Sequence, residues 1–177
     1  MMTLIIGGSG SGKSAFAEDL LCKRCPHDRK IYIATMECRD ADAKRRVEKH
    51  QNMRDGKGFT TVECPRDVGE ISAAGDVALL ECVSNLVANE MFVQKNEDFF
   101  VAEPEKVVAK ILSDLQQLKR KYHSLYVVSN NVFEDGTLQE GDMKLYGSAL
   151  GCLHQELAKQ ADEVIEVVVG LPVFLKG

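Results

Sequence analysis

With 177 residues, 45% of them hydrophobic and 28% charged, the chain has the size and balance of one soluble globular domain spanning 1–177. It has no apolar run of the roughly eighteen residues needed to span a bilayer, which excludes a membrane span. Its net charge of −5 lacks the excess of lysine and arginine by which nucleic acid is held, which excludes that partner.

The N-terminus begins with an apolar strand, Thr3–Ile6, and a glycine-rich loop follows inside the first ten residues. No charged, apolar and cleavage regions of a secretory signal precede it, so a cytoplasmic location is expected. A helix is predicted over Lys13–Arg24, a strand over Ile31–Thr35 and a helix over Asp40–Met53. Asn52–Gly58 reads as a mobile basic turn carrying Arg54 and Lys57. Strands follow at Thr60–Glu63 and Val77–Glu81, then helices at Cys82–Phe92 and Glu105–Tyr122, with Pro104 tolerated in the first turn. The remainder predicts a strand at Leu125–Ser129, an acidic loop at Glu134–Asp142, a helix at Met143–Gln160 and a strand at Val164–Val169. A short last strand falls at Val173–Leu175. Several strands are continuously apolar, the mark of a sheet covered on both faces. The expected fold is therefore α/β and P-loop NTPase-like, a doubly wound, mostly parallel sheet with helices on both faces.

Six cysteines are scattered through the chain and are read as reduced thiols. Only Cys22 and Cys25 lie close together, and His27 alone does not complete a zinc site.

The strongest chemical signal is Gly7-Gly8-Ser9-Gly10-Ser11-Gly12-Lys13-Ser14, between a strand and a helix. Glycines free the backbone so that consecutive N–H groups turn toward phosphate oxygens, and the helix N-terminus adds its partial positive charge. Lys13 is expected at the β- and γ-phosphates, and the Ser14 hydroxyl on Mg²⁺. An acidic group should come from a neighbouring strand end, where open α/β sheets bind their ligands. Glu81 is the natural candidate for a metal or substrate contact. Glu63, ending another strand, is equally well read as solvated.

Arg46, His50 and Arg54 are spaced by four and would share one helix face. Such a stripe calls for an anion such as a triphosphate, and the adjacent charge would hold the imidazole neutral and nucleophilic. On spacing alone a solvated surface histidine is the preferred reading. His27, His123 and His154 are read as surface or packing residues.

Several landmarks in order complete the pattern: the loop, Tyr32-Ile33-Ala34-Thr35, Arg46 with His50, Thr61-Val62-Glu63-Cys64, Leu79-Leu80-Glu81-Cys82 with Asn89, Ala161-Asp162-Glu163-Val164, and Gly170. Over nearly its whole length the chain resembles the bifunctional adenosylcobinamide kinase/adenosylcobinamide-phosphate guanylyltransferase family of cobalamin biosynthesis. The resemblance implies two steps: phosphorylation of a corrinoid hydroxyl, then transfer of GMP from GTP to that phosphate through a guanylylated histidine. It places His50 in that role beside catalytic Lys13. Together with the loop motif, the strand-end positions and the helix spacing, it puts the loop, Thr35, Arg46, Arg54, Glu63 and Glu81 among the nucleotide-binding positions, with Ser14 and Glu81 on Mg²⁺. It implies ATP or GTP and a corrinoid as small-molecule partners, and a ring-like homo-oligomer, a trimer.

The chain departs from the family where Thr-Asn-Glu-Val-Gly becomes Ser129-Asn130-Asn131-Val132-Phe133. It departs again in the late helix, where an Arg-Asp pair and an Asn are replaced by Gly147-Ser148 and His154. The residues alone leave two alternatives open, a P-loop kinase of another small molecule and a non-enzymatic nucleotide-binding protein.

Overall fold

The computed structural model describes residues 1–37, 56–95, 98–135 and 140–177. The predicted helix Asp40–Met53 and the residues Arg46, His50 and Arg54 lie outside the described residues.

The strands are β1 (Met2–Gly7), β2 (Lys30–Ala34), β3 (Phe59–Glu63), β4 (Val77–Glu81), β5 (Phe92–Lys95), β6 (Asp98–Val101), β7 (Ser124–Asn130), β8 (Glu163–Val168) and β9 (Leu171–Lys176). The described helices are α1 (Lys13–Arg24), α2 (Val83–Met91), α3 (Pro104–Lys121) and α4 (Gly141–Gln160). Seven strands form one sheet in the order β3-β2-β4-β7-β1-β8-β9, parallel throughout except for β9, which runs antiparallel to β8.

Alternation along each strand divides the core into two layers. Leu4, Ile33, Leu80 and Val127 face α2, α3 and α4, where they meet Leu86, Ile111 and Leu150. Ile5, Tyr32, Leu79 and Val128 face the other way and pack on Ala17 and Leu21 of α1. Both faces of the central strands are thus covered, as their unbroken apolar runs predicted. Because β7 lies between β1 and β4, the phosphate loop and Glu81 stand two strand spacings apart, roughly 10 Å, along one edge of the sheet.

Two elements differ from expectation. The helix expected to run to Phe92 stops at Met91, and Phe92 instead pairs with Val101 in a β5–β6 hairpin outside the main sheet. Its strands are only four residues each, too short for alternation to announce them, and Phe92 is held by the Tyr146 ring at 6.3 Å. The acidic segment is not all loop, since residues Val132–Asp135 form a short 3-10 turn and α4 already starts at Gly141. Residues 56–58 of the expected basic turn do form a turn, in which Lys57 bonds Glu18 at 2.9 Å and Asp19 at 2.8 Å, so its charge is neutralised on α1.

Candidate active site

The phosphate loop is built by steric necessity at a few backbone positions. A side chain at Gly7 would bring its Cβ within 2.6 Å of both Ser11 Oγ and the Val167 carbonyl oxygen, so only glycine fits. Gly10 and Gly12 have φ of 73° and 88°, the left-handed region that glycine enters without penalty. The loop closes through the Ser11 N–H onto Gly8 O at 3.2 Å, and α1 begins with the Phe16 N–H donating to Gly12 O at 3.0 Å. Two neighbours brace it from the sheet: Asn131 N–H bonds Gly7 O at 2.9 Å, and Gly170 N–H bonds Ser11 O at 2.8 Å.

Lys13 folds back over this loop and its ammonium donates to Gly8 O at 3.0 Å. Burial pulls its pKa below the ordinary lysine value, against the opposing pull of the Glu81 carboxylate. A cation that is partly stripped of water and holds a single carbonyl is poised to accept an anion. Beside it the Ser14 hydroxyl donates to one oxygen of Glu81, and the Tyr32 hydroxyl donates to the other. Ser14 and Glu81, picked out separately in the sequence, are therefore in direct contact, across the width of β7.

A hydroxyl and a carboxylate on the rim of a phosphate loop form the hard-oxygen donor set that suits Mg²⁺, which takes one or two protein oxygens and completes its shell with phosphate and water. These residues fit the metal that the resemblance implies. Tyr32 belongs to a landmark of the sequence pattern that carries no role for its hydroxyl. The available signal was a lone phenol in an otherwise aliphatic strand, two residues before Ala34 and so on the face that Ala34 shares with Glu81.

Thr35 occupies a different place from the one its grouping with nucleotide contacts suggests. It is fully buried, and its hydroxyl both donates to Cys82 O and accepts from Cys82 N–H, each at 2.8 Å. Its carbonyl accepts from Asn89 Nδ2 at 2.7 Å, and Asn89 also bonds Pro65 O at 2.9 Å. Thr35 thus staples the end of β2 to the residue after Glu81 and holds that carboxylate's backbone in place. Glu63 shares the register row of Ala34 and Glu81, yet stands exposed on the outermost strand, two strands from Glu81.

The comparisons with known proteins bear on what this arrangement serves. Residues 3–175 match the family model described as cobinamide kinase / cobinamide phosphate guanyltransferase. The chain belongs to that family. It is an enzyme of the nucleotide-using kinase and guanylyltransferase type. The bifunctional adenosylcobalamin biosynthesis protein CobU of Escherichia coli (strain K12) is 30% identical over 99% of this chain and 100% of its own length. CobP of Pseudomonas aeruginosa, a bifunctional adenosylcobalamin biosynthesis protein, is 28% identical over 100% of this chain and 98% of its own. Among solved structures, the flagellar accessory protein FlaH from Methanocaldococcus jannaschii superposes with a TM-score of 0.53 at 15% identity, covering 99% of this chain and 77% of that one. At that identity the likeness concerns the fold alone.

Three of the departures from the family pattern, Ser129, Phe133 and His154, meet in space. His154 bonds Ser129 Oγ at 2.7 Å, and the Phe133 ring meets the His154 ring edge-on at 6.0 Å. Gly151 leaves the room, since a Cβ there would press to 3.3 Å from Phe133. Ser129, Phe133, Gly151 and His154 are one packing unit, in which a smaller hydroxyl residue accompanies a larger helix side chain. Burial pushes the His154 pKa down to about 4, which keeps the ring neutral. At this junction Asn131 reaches the phosphate loop through its main-chain N–H, a contact that does not depend on which side chain it carries. Gly147 is buried in α4 and Ser148 is exposed.

Cys22, Cys25, Cys64, Cys82 and Cys152 are free thiols. Among the described residues no helix is long and apolar enough to cross a membrane.

Proposed function

We propose that this chain phosphorylates the aminopropanol hydroxyl of adenosylcobinamide and then transfers GMP from GTP to the product through a guanylylated His50. The observation that carries the reading is the contact of the Ser14 hydroxyl with Glu81 beside the buried Lys13. In the first step the acceptor oxygen attacks the γ-phosphorus of the donor, the bond to the β–γ bridging oxygen breaks, and the hydroxyl proton is released. Lys13 and the loop amides hold the transferring phosphate and neutralise its charge. Mg²⁺, held by Ser14 and Glu81, supplies further charge neutralisation on the phosphate oxygens when bound. In the second step an imidazole nitrogen of His50 attacks the α-phosphorus of GTP and pyrophosphate leaves. A phosphate oxygen of the corrinoid then displaces the histidine from phosphorus, so one hard displacement is divided into two. Arg46 and Arg54 offset the phosphate charge during this exchange, and Thr35 acts by positioning Glu81.

The test is incubation with α-labelled GTP and Mg²⁺, which should leave an acid-labile label on the protein that adenosylcobinamide phosphate discharges. His50→Ala should take up none. A wild-type protein that remains unlabelled refutes the histidine route.

The reading extends to the whole of 1–177 acting as one nucleotide-binding domain in the cytoplasm, and to self-association as a ring. Supporting the last, edge strand β9 exposes Leu171, Phe174 and Leu175 at 67%, 60% and 56%, an apolar edge that a monomer would leave open to pairing. Light scattering that finds only monomer at working concentration would refute it.

A further inference from the structure

The Glu81 carboxylate is gripped from two sides by hydroxyl groups that differ in their freedom to move. Ser14 reaches one oxygen from the first turn of α1, beside the phosphate loop, and Tyr32 reaches the other from within the sheet. Ser14 is half-buried, and its hydroxyl swings about a single bond. Tyr32 is only 3% exposed. Its ring lies in the core layer with Ala17, Leu21, Val77 and Leu79 and meets the Phe59 ring edge-on at 5.9 Å. Because a phenol oxygen lies on the axis of its ring, that packing fixes where the oxygen stands.

Strand register explains the reach. Tyr32 pairs with Leu79 and Ala34 with Glu81, so all four share the face toward α1. Glu81 is therefore one diagonal step from Tyr32, about 7 Å along the strand, a span suited to a phenol. Ala34, directly opposite Glu81, contributes only a methyl group. The main chain of Glu81 is held as well, its carbonyl accepting from Thr35 N–H at 3.0 Å. With the backbone and one carboxylate oxygen both tied to β2, the oxygen facing Ser14 is the one left to respond to a ligand.

We infer that Tyr32 is a positioning residue that makes the metal site select Mg²⁺ over a larger divalent ion such as Ca²⁺. The inference rests on the Mg²⁺ reading of Ser14 and Glu81 above and deepens it. When Ser14 turns its oxygen to the ion, it releases the carboxylate oxygen it had held, whereas the other oxygen stays with Tyr32. Glu81 then offers one oxygen and does not chelate with two. A single carboxylate oxygen suits Mg²⁺, which demands compact octahedral coordination and keeps several waters. Ca²⁺ takes more oxygens in a looser shell, and carboxylates often serve it with both of theirs. Withholding the second oxygen therefore disfavours the larger ion.

The experiment measures, by calorimetry, binding of the α,β-methylene analogue of GTP in saturating Mg²⁺ and in saturating Ca²⁺. This analogue resists cleavage between its α- and β-phosphorus, so the result does not depend on the His50 route. Wild type should bind the Mg²⁺ complex at least about tenfold more tightly than the Ca²⁺ complex, the scale of one hydrogen bond to a charged group. Tyr32→Phe, which keeps the ring packed on Phe59, should lower that ratio about tenfold. An unchanged ratio overturns the inference even if both complexes bind more weakly, because a phenol with a purely structural role would move the two alike. Wild type that binds both complexes equally overturns it whatever the variant does and spares the loop; wild type that binds neither ends the loop reading and the selectivity together.

Discussion

Replacing Thr35 with valine removes one oxygen and keeps the shape, which makes it a direct probe of how Glu81 is held. The hydroxyl is fully buried and serves both polar groups of Cys82, accepting from its N–H and donating to its carbonyl, each at 2.8 Å. In Thr35→Val both main-chain groups lose their partner in a dry environment, at a cost of about 1–3 kcal/mol each. Partial relaxation leaves a net loss of about 2–4 kcal/mol. For a chain of this length that corresponds to a fall in melting temperature of roughly 5–15 °C. Chemical denaturation of Thr35→Val and Thr35→Ser side by side supplies the assay, with serine expected to recover most of the loss. Because Cys82 follows Glu81, the valine variant should also bind Mg²⁺-GTP more weakly at temperatures where it remains folded. A valine variant within about 0.5 kcal/mol of wild type would refute the reasoning, since it would show that these two bonds carry no net stability.

Lys13→Ala removes the cation seated on Gly8 O and should weaken GTP and tripolyphosphate alike, by about tenfold to a hundredfold on the scale of a charged hydrogen bond; titration calorimetry reads both. The β8–β9 turn has positive φ at both central residues, Val169 at 45° and Gly170 at 83°, the requirement of a type I′ hairpin, for which Asn-Gly is the favoured pair. Val169→Asn should therefore raise stability by about 1 kcal/mol, or roughly 2–4 °C in melting temperature. His154 carries a pH dependence whose sign follows from its neutral burial. Unfolded, it takes up a proton as pH falls through 6.5, whereas folded it resists until about 4, so its full contribution is present above 6.5 and is lost between those values. Denaturation of wild type and His154→Asn at pH 7 and pH 4.5 should show a smaller acid loss in the variant, and parallel losses would contradict the assignment.

The phosphate loop was legible in the sequence because its chemistry is local. A strand, a run of glycines, Lys13-Ser14 and a helix are contiguous, and backbone freedom at Gly10 and Gly12 depends on no distant partner. The parallel, doubly covered sheet was legible for a related reason, since burial on both faces writes continuous apolar runs such as Val77–Leu80 into the strands. What stayed hidden were relations between segments far apart in the chain. Nothing in the spacing of residues 14, 32 and 81 says that two hydroxyls converge on one carboxylate; that follows from β7 entering the sheet between β1 and β4. Nothing in the residues around Thr35 says that its hydroxyl meets the backbone of Cys82; the β2–β4 pairing brings the two together. Sequence alone determined the phosphate-binding turn and the sheet that presents it, because short-range backbone geometry and burial patterning are encoded residue by residue. Only the tertiary structure decided which polar groups meet around that turn, because such meetings depend on strand order, and strand order is a property of the assembled core.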